Sequence, residues 1–350
     1  MEFDLQKLIR ENIRNLKPYS SARHEFTGRA SVYLDANENG YGSPVKENYN
    51  RYPDPLQWQL KFQLAKIKGV PAENIFIGNG SDEIIDLAYR VFCNPGKDNI
   101  IICPPTYGMY AVSANINDVE IRKVNLTADF QPDTTAILRA TDSNTKLLFI
   151  CSPNNPTGNN MNRVDMEFLL NNFPGIVIID EAYINYSKQK TFIQELTEYP
   201  NIIVMQTLSK AWGLAGLRLG LCFASFDIID IFNKVKPPYN INEASQQTAM
   251  IALQNIDQVN EWIKETVQQK NKIVKDLDDL SFVRTVYPSD ANFILVKTDD
   301  ADSLYQFLAA NGIVVRNRSK EINCENCLRI SIGTPEENTL LLTAFKNYKP

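Results

Sequence analysis

Lys210 lies in the run Thr207-Leu208-Ser209-Lys210-Ala211-Trp212-Gly213-Leu214-Ala215-Gly216-Leu217-Arg218. A lysine among small and apolar neighbours loses its proton cheaply, and its neutral amine can then form an imine with a carbonyl. Thr207 and Ser209 place hydroxyls beside it. Arg218 adds a permanent two-pronged donor suited to a phosphate dianion. A surface lysine next to a glycine-rich loop would explain neither the hydroxyls nor the arginine.

Three more polar clusters follow short apolar runs. Gly78-Asn79-Gly80-Ser81-Asp82-Glu83 comes after Ile75-Phe76-Ile77. Its glycines let backbone approach a ligand, and Ser81 or Asp82 is expected to cap a helix whose free N–H groups suit a phosphate. Taken alone, it reads as an ordinary strand, turn and capped helix. Asn154-Asn155-Pro156-Thr157-Gly158 follows Leu147 to Cys151, a rigid turn that presents Asn155. Asp180-Glu181-Ala182-Tyr183 follows Ile176 to Ile179. An acid ending an apolar strand needs a cation or donor to offset desolvation; a protonated ring nitrogen would serve, and so would a structural salt bridge.

The elements that must position these clusters are legible in the hydrophobic pattern. Runs at Ile75–Ile77, Ile100–Ile102, Val119–Val124, Leu147–Cys151, Ile176–Ile179, Ile202–Met205 and Leu217–Phe223 read as strands, and the near-continuous apolar ones at Leu147–Cys151, Ile176–Ile179 and Ile202–Met205 as strands buried on both faces. Helical segments are expected between them, near 82–92 and 107–115. This predicts an α/β architecture, a mostly parallel central sheet with helices on both faces. In such sheets, ligands gather at the carboxyl ends of the strands. After Pro237-Pro238 the pattern changes. Helix is expected from Glu243 to Asp279. Short strands follow at Phe282–Val286, Phe293–Val296, Ile313–Arg316 and Leu328–Ile332, a smaller α+β unit. The division expected is an arm over 1–45 that partly joins the small domain, a large domain over 46–240, and a small domain over 241–350 that begins with a linking helix to about 280.

The chain has 350 residues, 22% of them charged, and a net charge of −5. No broad basic surface for nucleic acid is expected. No apolar stretch reaches the roughly 20 residues that span a bilayer. The N-terminus lacks a signal-peptide pattern, and scattered cysteines in apolar runs suit a reducing cytoplasm. Cys324 and Cys327 form one C-x-x-C without a second ligand pair nearby, so no metal is expected. His24 is the only histidine and is read as an arm residue.

Ser209-Lys210 with Gly216-Leu217-Arg218-Leu219-Gly220 resembles the lysine signature of class II aminotransferases of the aspartate aminotransferase fold type. The Asn155 and Asp180 clusters fall at that family's places before it. Pro18-Tyr19-Ser20-Ser21-Ala22-Arg23, Leu34-Asp35-Ala36-Asn37-Glu38-Asn39, Arg51-Tyr52-Pro53-Asp54 and Leu328-Arg329-Ile330-Ser331-Ile332-Gly333 resemble landmarks of the histidinol-phosphate aminotransferases. The likeness runs along essentially the whole chain. It implies a PLP-dependent transferase of fold type I, with pyridoxal 5'-phosphate (PLP) held as a Schiff base on Lys210.

By the same resemblance, Asp180 keeps the pyridine nitrogen protonated, and Tyr183 and Asn155 hold the ring oxygen. Tyr107 stacks on the ring; without the family it reads equally as a core aromatic. Ser81, Asp82, Thr207, Ser209 and Arg218 cup the phosphate, and Tyr52 reaches it from the other subunit of a homodimer. Arg329 takes the anionic group of each substrate. Arg316, Tyr19 and Asn37 are further substrate contacts; Arg23 and Arg318 are weaker candidates. The implied reaction converts L-histidinol phosphate and 2-oxoglutarate to imidazole acetol phosphate and L-glutamate. A threonine-phosphate decarboxylase or an aromatic amino acid aminotransferase of the same subgroup is the alternative. A non-catalytic binding protein of this fold would be expected to lack Lys210 or Asp180, and both are present.

Overall fold

The computed structural model describes residues 3–19 and 31–349. Arg23, His24 and the Ser20–Ala22 part of the expected arm motif lie outside the described residues.

Seven strands form the main sheet: β1 (Ile75–Asn79), β2 (Asn99–Ile102), β3 (Glu120–Lys123), β4 (Thr145–Cys151), β5 (Ile176–Asp180), β6 (Ile202–Thr207) and β7 (Leu219–Ala224), in the order β1-β7-β6-β5-β4-β2-β3. The pairs from β3 through β2, β4, β5 and β6 are parallel, while β7 runs antiparallel to both neighbours. The near-continuous apolar runs are explained by burial on both faces. Ile150, Val177, Ile179 and Val204 face one core; Phe149, Cys151, Ile178 and Met205 face the other. Side chains alternate along a strand. Asp180, two residues beyond Ile178, therefore points to the second core's side.

The smaller sheet is antiparallel, in the order β10-β11-β9-β8, built from β8 (Val283–Val286), β9 (Phe293–Thr298), β10 (Arg316–Asn317) and β11 (Cys327–Ser331). It has its own core around Ile294, Val296, Leu328, Ile330 and Phe345.

Several boundaries differ from the pattern-based expectation. Strand β7 starts at Leu219, not Leu217, because Ala215–Leu217 forms a 3-10 turn and Arg218 takes left-handed dihedrals. Strand β10 begins only at Arg316, after Gly312 turns the chain at φ +77. The helix expected over 243–279 is broken into Glu243–Ala252 and Ile256–Asp278 by a 3-10 turn at Leu253–Asn255. The long second helix serves both cores: Val259 packs with the large one, Ile273 and Leu277 with the small one. The large core thus extends past residue 240. The described beginning of the arm packs on the large core, not the small unit. Ile9 is buried there with Phe3, Leu5, Leu8 and Ile13 around it, and the Arg10 N–H donates to the Val91 carbonyl at 3.0 Å.

Candidate active site

The polar clusters converge because their strands end at one edge. Cys151 pairs with Asp180, Asp180 with Met205, Thr207 with Gly220, and Gly78 with Gly220. This row of strand ends forms one wall of a cleft of about 480 Å³. Ser81, Asp82, Tyr107, Asn155, Asp180, Tyr183, Thr207, Ser209, Lys210, Arg218, Arg316 and Arg329 all line it. Twelve expected site residues, separated by up to about 250 positions, therefore share one cavity.

The helix that follows β1, Ser81–Phe92, corrects one expectation. Its N-cap is Gly80, at φ 76, and no side chain caps it. Ser81 and Asp82 stand in the first turn, where backbone N–H groups have no partner within the helix. The positive φ at Gly80 is what calls for glycine; the neighbour a Cβ would meet is the end of the flexible Arg218 side chain. The Gly80 N–H donates to the Arg218 carbonyl at 2.7 Å, and a Cβ on Gly80 would meet Arg218 Nη2 at 2.6 Å. At Gly220, a Cβ would lie 2.5 Å from both the Gly80 carbonyl carbon and the Ser81 nitrogen. These two glycines let β1 and β7 close together, so the helix start and Arg218 face the same space. Arg218 Nη2 lies 3.2 Å from Asp82 Oδ2, and the Tyr107 hydroxyl is 3.3 Å from Asp82 Oδ1.

Lys210 follows β6. Its Nζ is 5.6 Å from the centre of the Tyr183 ring, and among the described residues it has no hydrogen-bond or ion-pair partner. The side chain opens to the cleft, yet enough protein surrounds the amine to push its pKa below that of an ordinary lysine. Desolvation is the main cause, and the Arg329 charge adds to it; Asp180 opposes both. The amine is thereby biased toward its neutral, nucleophilic form.

Asp180 is buried. Its Oδ2 accepts from the Tyr110 hydroxyl at 2.7 Å and its Oδ1 from the Ala182 N–H at 3.0 Å. Desolvation raises its pKa, while the two donors and Lys210 pull the other way. Tyr183 is buried against Phe293, with ring centroids 5.1 Å apart and nearly perpendicular. Sequence reasoning did not reach Tyr110. Its one signal is the three-residue spacing from Tyr107, which puts both rings on one side of the helix Met109–Ile116 and its approach. In an apolar stretch that spacing also describes ordinary core.

The second sheet supplies the opposite wall. Arg316 and Arg329 are register partners across β10 and β11. The Arg329 guanidinium lies 5.3 Å from the Phe293 ring centre and donates from Nη1 to Asn155 Oδ1. Desolvation, with Arg318 and Arg316 nearby, lowers its pKa from the usual guanidinium value. Arg318 also lines the cleft, 3.5 Å from Glu321, which sequence reasoning missed.

Three expected residues are not in this cleft. Tyr52 is half-exposed and stacks on Tyr239 at 4.4 Å; with Asn37 it lines a separate depression of about 570 Å³. Tyr19 is exposed and lines a third, beside Trp58 and Phe226. Among the described residues no helix is long and apolar enough to cross a membrane, and no cluster of His, Cys, Asp and Glu could hold a metal ion.

Comparison with known proteins agrees with this geometry. The family of class I and II aminotransferases matches residues 35–345. A histidinol-phosphate aminotransferase of Parabacteroides distasonis is 53% identical over 346 residues, 99% of each chain. That of Cytophaga hutchinsonii is 52% identical over 348 residues, 99% of this chain and 100% of its own. In fold, the chain is similar to the histidinol-phosphate aminotransferase of Sinorhizobium meliloti solved in complex with pyridoxal-5'-phosphate. That likeness has a TM-score of 0.78 at 24% identity, over 89% of this chain and 88% of the other. With its matched span, its full-length relatives and a lysine, a buried aspartate and arginines around one cleft, this chain belongs to the class I and II aminotransferases.

Proposed function

We propose that the chain transfers the amino group of L-histidinol phosphate to 2-oxoglutarate with PLP as cofactor, giving imidazole acetol phosphate and L-glutamate. This is a step of histidine biosynthesis. One observation carries the reading: an unpaired Lys210 amine, a buried Asp180 and the substrate-side Arg329 share a single cleft. Relatives more than half identical over nearly the whole chain bear the name of that enzyme.

The donor set fits PLP. Asp180 is a buried acid that benefits from a cationic N–H partner. Lys210 offers a free amine. The start of helix Ser81–Phe92, hollowed by Gly80 and flanked by Arg218, offers N–H groups and a guanidinium for a phosphate. When bound, PLP supplies an electron sink that eases loss of a proton from the carbon beside the substrate nitrogen.

The chain's own residues do the rest. Asp180 holds a proton at the ring nitrogen. Asn155 and Tyr183 would hold the ring oxygen, with Asn155 oriented by Arg329. Tyr107 would cover one face. Ser81, Asp82, Thr207, Ser209 and Arg218 would grip the phosphate, although the Thr207 hydroxyl also donates to the Leu219 carbonyl and accepts from the Ser209 N–H. Lys210 moves the proton at the substrate carbon. Arg329 binds the phosphate of the amine donor and a carboxylate of the acceptor, with Arg316 beside it.

Tyr52, Asn37 and Tyr19 enter this reading through a second copy of the chain. Leu34, Tyr41, Val45 and Tyr49 are exposed in the same stretch as Asn37 and Tyr52, an apolar surface suited to a partner. We assign a homodimer in which Tyr52 serves the neighbouring site. All six cysteines are buried free thiols, which suits a reducing compartment, and we assign the protein to the cytoplasm.

The test offers L-histidinol phosphate, phosphothreonine, histidine and phenylalanine in turn to the PLP-loaded protein. Loss of its visible absorbance with histidinol phosphate supports the reading. Carbon dioxide release from phosphothreonine would name a decarboxylase instead.

A further inference from the structure

The hydroxyl of Tyr110 has an unusually fixed position. The side chain is fully buried, its ring stacks on Phe149 at 4.7 Å, and it meets Tyr107 edge-on at 5.5 Å. Its backbone carbonyl is held by the Tyr89 hydroxyl at 2.8 Å. Two rings and a hydrogen bond thus lock the residue so that its hydroxyl points at Asp180 Oδ2.

We propose that Tyr110 is a positioning residue for the reaction: it fixes the Asp180 carboxylate and keeps it ionised where it would meet the ring nitrogen of the cofactor. The inference rests on the PLP reading above. A hydrogen bond to the charged form of an acid favours that form. Asp180 needs such help because it is buried. Among the described residues, only two donors reach it, the Tyr110 hydroxyl and the Ala182 N–H. Burial raises the Tyr110 pKa far above its ordinary value, so the phenol keeps its proton and remains a donor across the working pH range.

The other groups around Asp180 do not take over this role. From the element after β6, the Lys210 amine pulls the Asp180 pKa down; from the helix after β1, Asp82 pushes it up. Cys151 on β4 and the phenols of Tyr107 and Tyr183 are also near, and burial raises the pKa of each. None of these donates a hydrogen bond to the carboxylate. Asn or Gln at position 110 would not reproduce the contact, because the ring supplies the reach and the stacking.

The test uses Tyr110→Phe, which keeps the ring and removes the donor. It reads the PLP affinity of the stripped protein, expected to fall at about pH 6 and much less at about pH 8.5, and the pH dependence of kcat/KM in the PLP-loaded protein. Losing one hydrogen bond to a buried charge should cost on the order of tenfold in activity near pH 6. The loss should be much smaller near pH 8.5, so the acid limb moves to higher pH. In an Asp180→Asn background, Tyr110→Phe should cause no such shift, because no carboxylate is left to titrate. A loss equal at every pH, an unchanged profile, or the same shift in the Asn background would overturn the proposal. Lys210→Ala, assayed alongside, separates the two levels. If it turns over normally the PLP reading itself fails; if it is dead while Tyr110→Phe has the wild-type profile, only the role of Tyr110 fails.

Discussion

Arg329 and Asn155 join the two sheets by one hydrogen bond: the guanidinium on β11 donates to the side-chain oxygen of Asn155 on the loop after β4. In the proposed reading, a substrate anion that engages Arg329 acts through Asn155 on the cofactor, and the substrate and cofactor halves of the proposed site meet at this contact.

Removing Arg329 should affect both half-reactions. Arg329→Ala is expected to raise KM for histidinol phosphate and for 2-oxoglutarate by on the order of tenfold or more, as expected for a charge-assisted hydrogen bond. It should also loosen Asn155 and change the visible spectrum of the loaded protein. Steady-state kinetics with each substrate varied checks this; an effect on one substrate alone would end the shared-anion role.

Lys210 gives a pH prediction with a definite sign. Its pKa in the folded chain lies below the ordinary 10.5, chiefly through desolvation. The neutral amine, the form that reacts with a carbonyl, thus gains population at lower pH than in a free lysine. PLP uptake by the stripped protein should rise with pH with its midpoint below 10.5. A stopped-flow series with its midpoint at or above that value would contradict the shift.

The glycine pair beneath the helix start should be intolerant of substitution. At Gly220 a Cβ meets backbone atoms, which cannot step aside as a flexible side chain can. Gly220→Ala is expected to cost about 2 kcal/mol of stability and to weaken PLP binding. Urea unfolding and a PLP titration read the two effects, and wild-type values in both would remove the proposed close approach.

Much of this site was legible because strand ends are punctuated. A buried strand that stops in Asp180-Glu181 or in Thr207-Leu208-Ser209-Lys210 advertises a polar edge. The parallel order then brings those edges together. Other features depend on tertiary packing. Tyr110 looks like core until Asp180 is seen beneath its hydroxyl. Ser81 looks like a cap until Gly80 is seen to turn the chain one residue earlier, drawn in by Arg218. Glu321 lies in a turn between β10 and β11, with no periodic pattern to mark it. Tyr52 and Asn37 were named from resemblance alone, and one chain's sequence does not show which copy they serve.

Glu181, the neighbour of Asp180, shows how the site is held from behind. It is buried, and it accepts from the Thr191 hydroxyl, from the Phe192 N–H at 2.8 Å and from Gln206 Nε2 at 2.9 Å. Lys68 in turn donates to Gln206 Oε1 at 2.6 Å, its pKa brought down to about 8 by burial against the pull of Glu181. Glu181→Ala would leave three donors unmet and the lysine without its counter-charge. A loss of about 3 kcal/mol is expected by chemical denaturation. A change below about 0.5 kcal/mol, typical of surface substitutions, would contradict the network.

The proposed homodimer, with Tyr52 serving the neighbouring site, has its own test. Subunits carrying Lys210→Ala and subunits carrying Tyr52→Ala should each be weak alone. Mixed together, they should regain activity, because some dimers then carry one site with both residues intact. No recovery on mixing, in a preparation shown to exchange subunits, would place Tyr52 outside the neighbouring site.

The most direct test of the whole account is a coupled product assay on the PLP-loaded protein. With L-histidinol phosphate and 2-oxoglutarate, the wild-type chain should form L-glutamate and imidazole acetol phosphate in equal amounts, and Lys210→Ala should form neither. Turnover by Lys210→Ala at the wild-type rate, or no glutamate from the wild-type protein, would contradict it.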